Sequence, residues 1–346
     1  MLGATMRMIC CRYRKSIMNN GVAKIIFDTD IGGDCDDAGA LALLHGLCDA
    51  GEAELLAVTS CYATPYLAGC IDAINTHYGR RVPIGILHDR FDPRDKTEGY
   101  NGYDKSVAEN FSNKAPDWRH VPDSVRLIRQ ILSEAEDEDI TLVATGPLTT
   151  LCRLVIGEPD DISACSGKEL IARKVKRTVV MGGRFFGTWP FEFGYGINTP
   201  HVTAEWNIYA DIPAAQTVCR EWPGELVFSS YETGNWLITL KSINDDDNRR
   251  NTNPVAHSYF VHHGKGGRES WDLTAILYAI RPNKGYWNLH PYGHITVNDE
   301  GVTGFRLDEK GLHSYLMPRF DADDLVRIID GIVETSPYYD APSALT

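Results

Sequence analysis

Between Val22 and Tyr231 short apolar runs alternate with segments of helical periodicity, and this alternation constrains the fold more than any other feature of the sequence. Runs that stay apolar at successive positions are buried on both faces, as parallel strands are, and parallel strands need crossover helices between them. The strands predicted in this way are Ala23–Phe27, Glu54–Thr59, Val82–Ile86, Ile140–Ala144, Arg177–Met181 and Glu225–Ser229. The intervening helices are Asp37–Asp49, Leu67–Tyr78, Asp123–Glu134, Leu148–Ile156 and Pro213–Glu221. Beyond Tyr231 the pattern is helical at Val255–His263 and Leu273–Ile280, then changes to His294–Asn298 and Gly304–Leu307 around Glu300-Gly301, a hairpin signal. A last helix is expected at Ala322–Glu334. The expected class is therefore α/β, an open, mostly parallel sheet flanked by helices, with a small C-terminal antiparallel hairpin.

No Gly/Ser linker or shift of composition divides the chain, so residues 22–346 are expected to form one domain behind a disordered extension over residues 1–21. Two stretches are too long for simple connectors, His88 to Val121 and Arg184 to Ala204; such loops in compact domains commonly serve as lids or binding loops. With 34 basic and 47 acidic residues the formal charge is −13, which repels polyanions, and no local basic patch offsets it. Nucleic-acid and membrane partners are not expected, and no run reaches the ~18 apolar residues of a membrane span. None of the nine cysteines forms a C-x-x-C pair, which fits a reducing, cytoplasmic compartment.

The chemistry concentrates after the first strand. Lys24-Ile25-Ile26-Phe27 runs into Asp28-Thr29-Asp30-Ile31-Gly32-Gly33-Asp34-Cys35-Asp36-Asp37-Ala38, five carboxylates within ten residues, with a helix opening at the last pair. Two carboxylates about 4 Å apart repel by roughly 4 kcal/mol at an effective dielectric of 20, so several converge only around a cation or bound protons. Oxygen donors of this kind suit Ca²⁺ or Mg²⁺. A helix N-terminus alone would favour Asp36 and Asp37 but leaves Asp28, Asp30 and Asp34 unexplained. An EF-hand loop fits at Asp28, Asp30 and Gly33 and fails where its last ligand should stand, at Gly39. Ligands of open parallel sheets bind beyond the carboxyl ends of the strands, and two further strands also end in tight turns, at Thr145-Gly146-Pro147 and Gly182-Gly183.

Asp28-Thr29-Asp30, Gly32 and Asp36-Asp37-Ala38 together resemble the signature of the inosine-uridine preferring nucleoside hydrolase family. Leu142 to Thr149, Val180-Met181-Gly182-Gly183, Ala204-Glu205-Trp206-Asn207, Asp211 to Ala215 and Trp271-Asp272 follow in the family's order, so the resemblance spans roughly Lys24 to Arg281. It implies a Rossmann-like sheet and hydrolysis of the N-glycosidic bond of a ribonucleoside, or a related N-riboside, to base and ribose. By the same resemblance Ca²⁺ would be held by Asp30, Asp37, Asp272 and the Thr145 carbonyl. Asp30 would take the proton of the bound water, and Asp36, Asn198, Glu205 and Asn207 would hold the ribose. It further implies nucleoside salvage and a homodimer or homotetramer.

Several residues depart from the family pattern. Asp34-Cys35 are two residues more than the shorter form of the signature, so Asp34 is either an outer partner of the site or an extra ligand. Cys61-Tyr62-Ala63-Thr64 stands where Gly-Asn is frequent, leaving one ribose contact missing or supplied by Thr64. Trp271 stands where several members have a His that serves as leaving-group acid, and an indole has no transferable proton. Trp271 and Trp206 are then either pocket and core aromatics or base-stacking platforms. His201, between Asn198 and Glu205, is the preferred substitute acid, with Tyr100, Asn101 and Tyr103 as further lid candidates. His262-His263 read as a helix end, and Cys35 has no sequence neighbour that would make it a nucleophile. Two alternatives remain: a non-catalytic riboside-binding protein on the same scaffold, and a haloacid-dehalogenase-like phosphatase using Asp28 and Mg²⁺. The phosphatase accounts for neither Asp36-Asp37 nor Glu205-Trp206-Asn207.

Overall fold

The computed structural model describes residues 21–90, 102–186, 204–319 and 321–340. From β1 (Ala23–Thr29) the chain passes through α1 (Asp36–Asp49), β2 (Ala53–Ser60), α2 (Leu67–His77) and β3 (Ile84–Ile86), moving outward along one side of the sheet. After α3 (Tyr103–Asn110) and α4 (Ser124–Glu134) it returns to lay β4 (Ile140–Ala144) on the other flank of β1. Then α5 (Thr149–Ile156), α6 (Gly167–Lys174), β5 (Val175–Met181), α7 (Ile212–Glu221) and β6 (Leu226–Ser229) extend the sheet in the second direction. The direction of travel reverses between β1 and β4, which opens a crevice at their carboxyl ends.

The predicted parallel strands are all present, and alternation along them feeds two cores. Ile25, Phe27, Val143 and Val179 point into one, and Ile26, Leu142, Ala144 and Val180 into the other. Helix α1 is buried from Asp36 through Leu47. Its glycines explain how so much of it is covered: a Cβ at Gly39 would overlap the Tyr259 hydroxyl, and one at Gly46 would sit 2.8 Å from the Ile332 carbonyl oxygen. β7 (Ile238–Thr239) and β8 (Arg268–Glu269) pair as a separate two-stranded ribbon, while α1 packs against α8 (Pro254–His263), α9 (Trp271–Ile280) and the C-terminal helix described next.

The expected hairpin is β9 (Leu289–Val297) and β10 (Thr303–Leu307), joined to the main sheet by β11 (His313–Leu316), which lies parallel to β6 and antiparallel to β9. The hairpin is therefore the edge of one nine-stranded sheet, and the chain continues into α10 (Asp323–Glu334). β11 has four residues, too few to give a periodic signal. The loop from His88 to Val121 also departs from expectation, because it contains α3, whose first backbone N–H, at Tyr103, donates to the Gly32 carbonyl at 3.0 Å. The expectations for residues 1–20 and for Tyr100 and Asn101 lie outside the described residues.

Three histidines sit in the interior. Burial pushes His45 down to about 3 and His77 and His313 down to about 4, whereas an unfolded histidine titrates near 6.5. All three are neutral in both states at pH 8. As the pH falls below about 6.5 the unfolded chain binds protons that the folded chain refuses, so stability declines with acid. Urea midpoints of the wild type and of His45→Gln, measured from pH 8 to pH 5, should therefore diverge as the pH falls, with the variant gaining on the wild type.

Candidate active site

Strand β1 delivers Asp28, Thr29 and Asp30 to the carboxyl edge of the sheet, and Gly32, at φ +114°, turns the chain toward α1. Asp36 and Asp37 occupy the first turn of α1, and Asp272 the first turn of α9, where free N–H groups and the helix dipole favour negative charge. Each of Asp36, Asp37 and Asp272 brings a carboxylate oxygen within 4.8 Å of the others. The Asp272 backbone N–H donates to Asp36 Oδ2 at 3.1 Å. Thr145 Oγ1 donates to Asp37 Oδ1 at 3.1 Å, and the Thr29 hydroxyl donates to the same oxygen. Burial, reinforced by the neighbouring carboxylates, pushes Asp36 and Asp272 well above the usual carboxylate range. Asp28, held by the Thr59 hydroxyl at 2.6 Å, is pushed up to about 7, chiefly by burial.

Asp30 is buried against Gly146, where a Cβ would lie 2.8 Å from both Asp30 Cβ and Cys61 Sγ. The turn after β4 thus needs glycine so that its backbone can close on Asp30. Its neighbour Thr145 offers a carbonyl that already accepts from Asn207 Nδ2 at 2.9 Å, and a carbonyl oxygen has a second lone pair to give. Asn207 Nδ2 also reaches the Met181 carbonyl at 3.2 Å, tying β4 to β5. Glu205 is buried and caps its own helical turn, Trp206–Tyr209. Its Oε1 accepts from the Asn207 N–H at 2.9 Å and its Oε2 from the Gly183 N–H at 3.0 Å. Burial pushes Glu205 up to about 7 against these bonds.

These residues fit a hard divalent cation. Three buried carboxylates, Asp36, Asp37 and Asp272, converge with the Thr145 hydroxyl on one of them, and such an all-oxygen set is costly without positive charge inside it. Asp34 stands apart from that set: its carboxylate accepts from Arg268 Nε at 2.9 Å and from the Cys35 N–H at 2.7 Å, with His262 Nε2 at 3.3 Å. It is held in this network with Arg268 and His262, outside the group of Asp36, Asp37 and Asp272. His262 accordingly belongs to this network rather than to a plain helix end. His263 Nδ1 lies 3.8 Å from Cys35 Sγ, a neighbour that the sequence does not reveal. Burial and the Asp34 and Asp36 charges push that thiol up, which disfavours the thiolate.

The two indoles differ in setting. Trp206 is 43% exposed and Trp271 only 8%, and Trp271 stacks on Tyr231 with ring centroids 5.5 Å apart. The Thr64 hydroxyl donates to Asp104 Oδ2 at 2.6 Å, so the position after β2 presents a Thr–Asp pair. Asp104 carries no recognisable motif, and it reaches the site because α3 packs on Gly32. Tyr103 is no lid residue: it is fully buried, and its hydroxyl has no hydrogen-bond partner among the described residues. Asn198 and His201 lie outside the described residues.

The chain has counterparts among known proteins. Residues 25–314 match the model of the inosine-uridine preferring nucleoside hydrolase family. The non-specific ribonucleoside hydrolase RihC of Shigella flexneri serotype 5b is 32% identical over 167 residues, covering 45% of this chain and 46% of that protein. The chain thus spans about half the length of the curated relatives it matches. Among solved structures, an inosine-uridine preferring nucleoside hydrolase from Bacillus anthracis superimposes with a TM-score of 0.67 at 21% identity, over 90% of this chain and 99% of the other. A plant nucleoside hydrolase does so with a TM-score of 0.65 at 18% identity, over 90% and 99%. The fold is common to all of these, and the family match runs from β1 into β11, across every element that carries a carboxylate of the cluster. The chain belongs to the inosine-uridine preferring nucleoside hydrolase family.

Proposed function

We propose that this protein hydrolyses the N-glycosidic bond of a ribonucleoside or closely related N-riboside, releasing base and ribose. The observation that carries the reading is the meeting of Asp36, Asp37 and Asp272, with the Thr145 hydroxyl on Asp37 and with Glu205 and Asn207 bonded to the adjoining strand ends at Gly183, Thr145 and Met181. A calcium ion held by Asp30, Asp37, Asp272 and the Thr145 carbonyl would polarise a water and the vicinal hydroxyls of the ribose. Asp30 takes the proton of the attacking water as general base. Asp36, Glu205 and Asn207, together with Asn198, hold the 2′- and 3′-hydroxyls and so fix C1′ in front of that water. Departure of the base leaves an oxocarbenium-like sugar, and the buried carboxylates stabilise its positive charge. Trp206 and Trp271 flank the base, and His201 is the candidate acid for it.

The buried thiols of Cys35, Cys70 and Cys219, none of them in a disulfide, support a reducing compartment, here the cytoplasm. A homodimer or homotetramer is the proposed assembly, to be checked by sedimentation equilibrium.

Turnover of p-nitrophenyl riboside that is abolished by chelator supports the N-glycosidase. Turnover of p-nitrophenyl phosphate instead would point to the phosphatase, and riboside binding without turnover to a binding protein. The sugar offers a sharper measurement. Groups arranged to hold a hydroxyl are left unpaired when it is missing, so 2′-deoxyribosides should lose at least about 100-fold in kcat/KM. Comparable rates for ribosides and deoxyribosides would remove Asp36, Glu205 and Asn207 from the diol site.

A further inference from the structure

The side of the site next to Asp272 carries two stacked rings with a guanidinium over each. The Arg184 guanidinium carbon lies 3.9 Å from the Tyr231 ring centroid, Tyr231 stacks on Trp271 at 5.5 Å and 23°, and the Arg268 guanidinium carbon lies 4.9 Å from the Trp271 centroid. Both ends are anchored. The Arg184 backbone N–H donates to Thr303 Oγ1 at 2.8 Å and its carbonyl accepts from the same hydroxyl. Arg268 forks onto Asp34 and donates to Glu269 Oε2 at 2.8 Å. Guanidinium N–H groups lie in the plane of the group, so these carboxylates meet its edge while its face is left for the indole. One end of the stack lies by the first strand's acidic segment, where Arg268 holds Asp34, and the other by Glu205, which accepts from the N–H of Gly183, the residue before Arg184.

We propose that Arg184, Tyr231, Trp271 and Arg268 form a cationic planar wall that receives the leaving base as an anion, so that this site favours N-ribosides whose leaving group carries negative charge well. The proposal rests on the N-glycosidase reading. In the step concerned the C1′–N bond breaks and its electron pair stays on the base nitrogen. The water oxygen bonds to C1′, its proton goes to Asp30, and the base anion takes a proton from bulk solvent after it has left, so that this route is the alternative to protonation by His201. Fixed positive charge beside a developing negative charge, in a site screened from water, is an effective form of catalysis. It also gives Asp34 a purpose, since this residue of the lengthened signature holds Arg268 over the indole.

The experiment compares inosine, uridine and p-nitrophenyl riboside, whose phenolate is already a good leaving anion, on the wild type and on Arg268→Gln and Arg184→Gln. Wild-type kcat should rise with the acidity of the leaving group, and a flat series overturns the proposal without any variant. Arg268→Gln should lower kcat on inosine and uridine by roughly 10- to 100-fold, a loss at least ten times larger than on p-nitrophenyl riboside, with KM changed little. Equal losses on all three substrates mean that Arg268 is merely structural, and overturn the proposal. Should Arg268→Gln fail to fold by circular dichroism, Arg184→Gln supplies the same comparison from the other end of the stack. Absence of wild-type turnover on any riboside overturns the N-glycosidase reading itself and this inference with it, whereas turnover with equal losses overturns the inference alone.

Discussion

Replacing Asp30 by Asn is expected to lower kcat on inosine or uridine by about 10²–10⁴-fold, the usual contribution of a positioned general base, with KM changed far less. Asp30 is buried at the end of β1 with Gly146 closed over it, so its carboxylate sits in a fixed place instead of sampling rotamers. An amide of the same shape fills that place and still offers an oxygen, but it cannot accept a proton at neutral pH. The fold should survive, because Asn removes one negative charge from a crowded group of carboxylates. Circular dichroism and steady-state kinetics on the purified variant check both halves. A variant within tenfold of wild-type kcat would show that another group takes the proton, and Asp28, pushed up to about 7 two residues earlier, would be the first to test.

How much of this was readable beforehand depends on where each interaction lies along the chain. The parallel strands and the Asp28-to-Asp37 cluster are local, so apolar runs and residue types alone delimit them. Asp272 became visible only through the resemblance, because nothing near Trp271-Asp272 announces that α9 will point its first turn at α1. Arg268 and Asp34 are 234 residues apart, and a pair of that kind leaves no periodic trace. β11 was missed because strand-forming potential over four residues is swamped by its flanks, although it decides how the hairpin joins the sheet. Tyr103 was misplaced on a lid because aromatic and polar residues among glycines read as loop; in the structure a helix begins there and buries it. Such failures share one cause, namely tertiary contacts overriding local pattern.

Replacing Asp272 by Asn should have opposite effects on function and on the cation-free fold. With one of the three converging carboxylates neutralised, the site loses both charge and a ligand. Stoichiometric calcium binding should therefore disappear, and turnover should fall by about 10²–10³-fold or more. Stability in excess chelator should move the other way. Asp36 and Asp272 have folded-state pKa values raised well above their ordinary range, by burial first and by neighbouring carboxylates second. For a group raised in this way the stability it contributes is present below the unfolded pKa of about 4 and is lost as the pH rises through the folded value. The cation-free wild type should accordingly weaken from pH 5 to pH 8 through these groups, in opposition to the buried histidines. Asp272→Asn removes one ionisation and lowers the charge against which Asp36 ionises. At pH 8 in chelator its Tm should therefore exceed that of the wild type, by roughly 1.5 °C for each kcal/mol regained in a chain of this length, and the order should reverse when calcium is added, since only the wild type gains binding energy. Metal analysis, calorimetry with and without calcium, and turnover on the same samples decide the matter. A wild type that stays fully active after exhaustive chelation, or an Asp272→Asn variant that is less stable than the wild type in chelator, would mean that the carboxylates converge for a reason other than holding a cation.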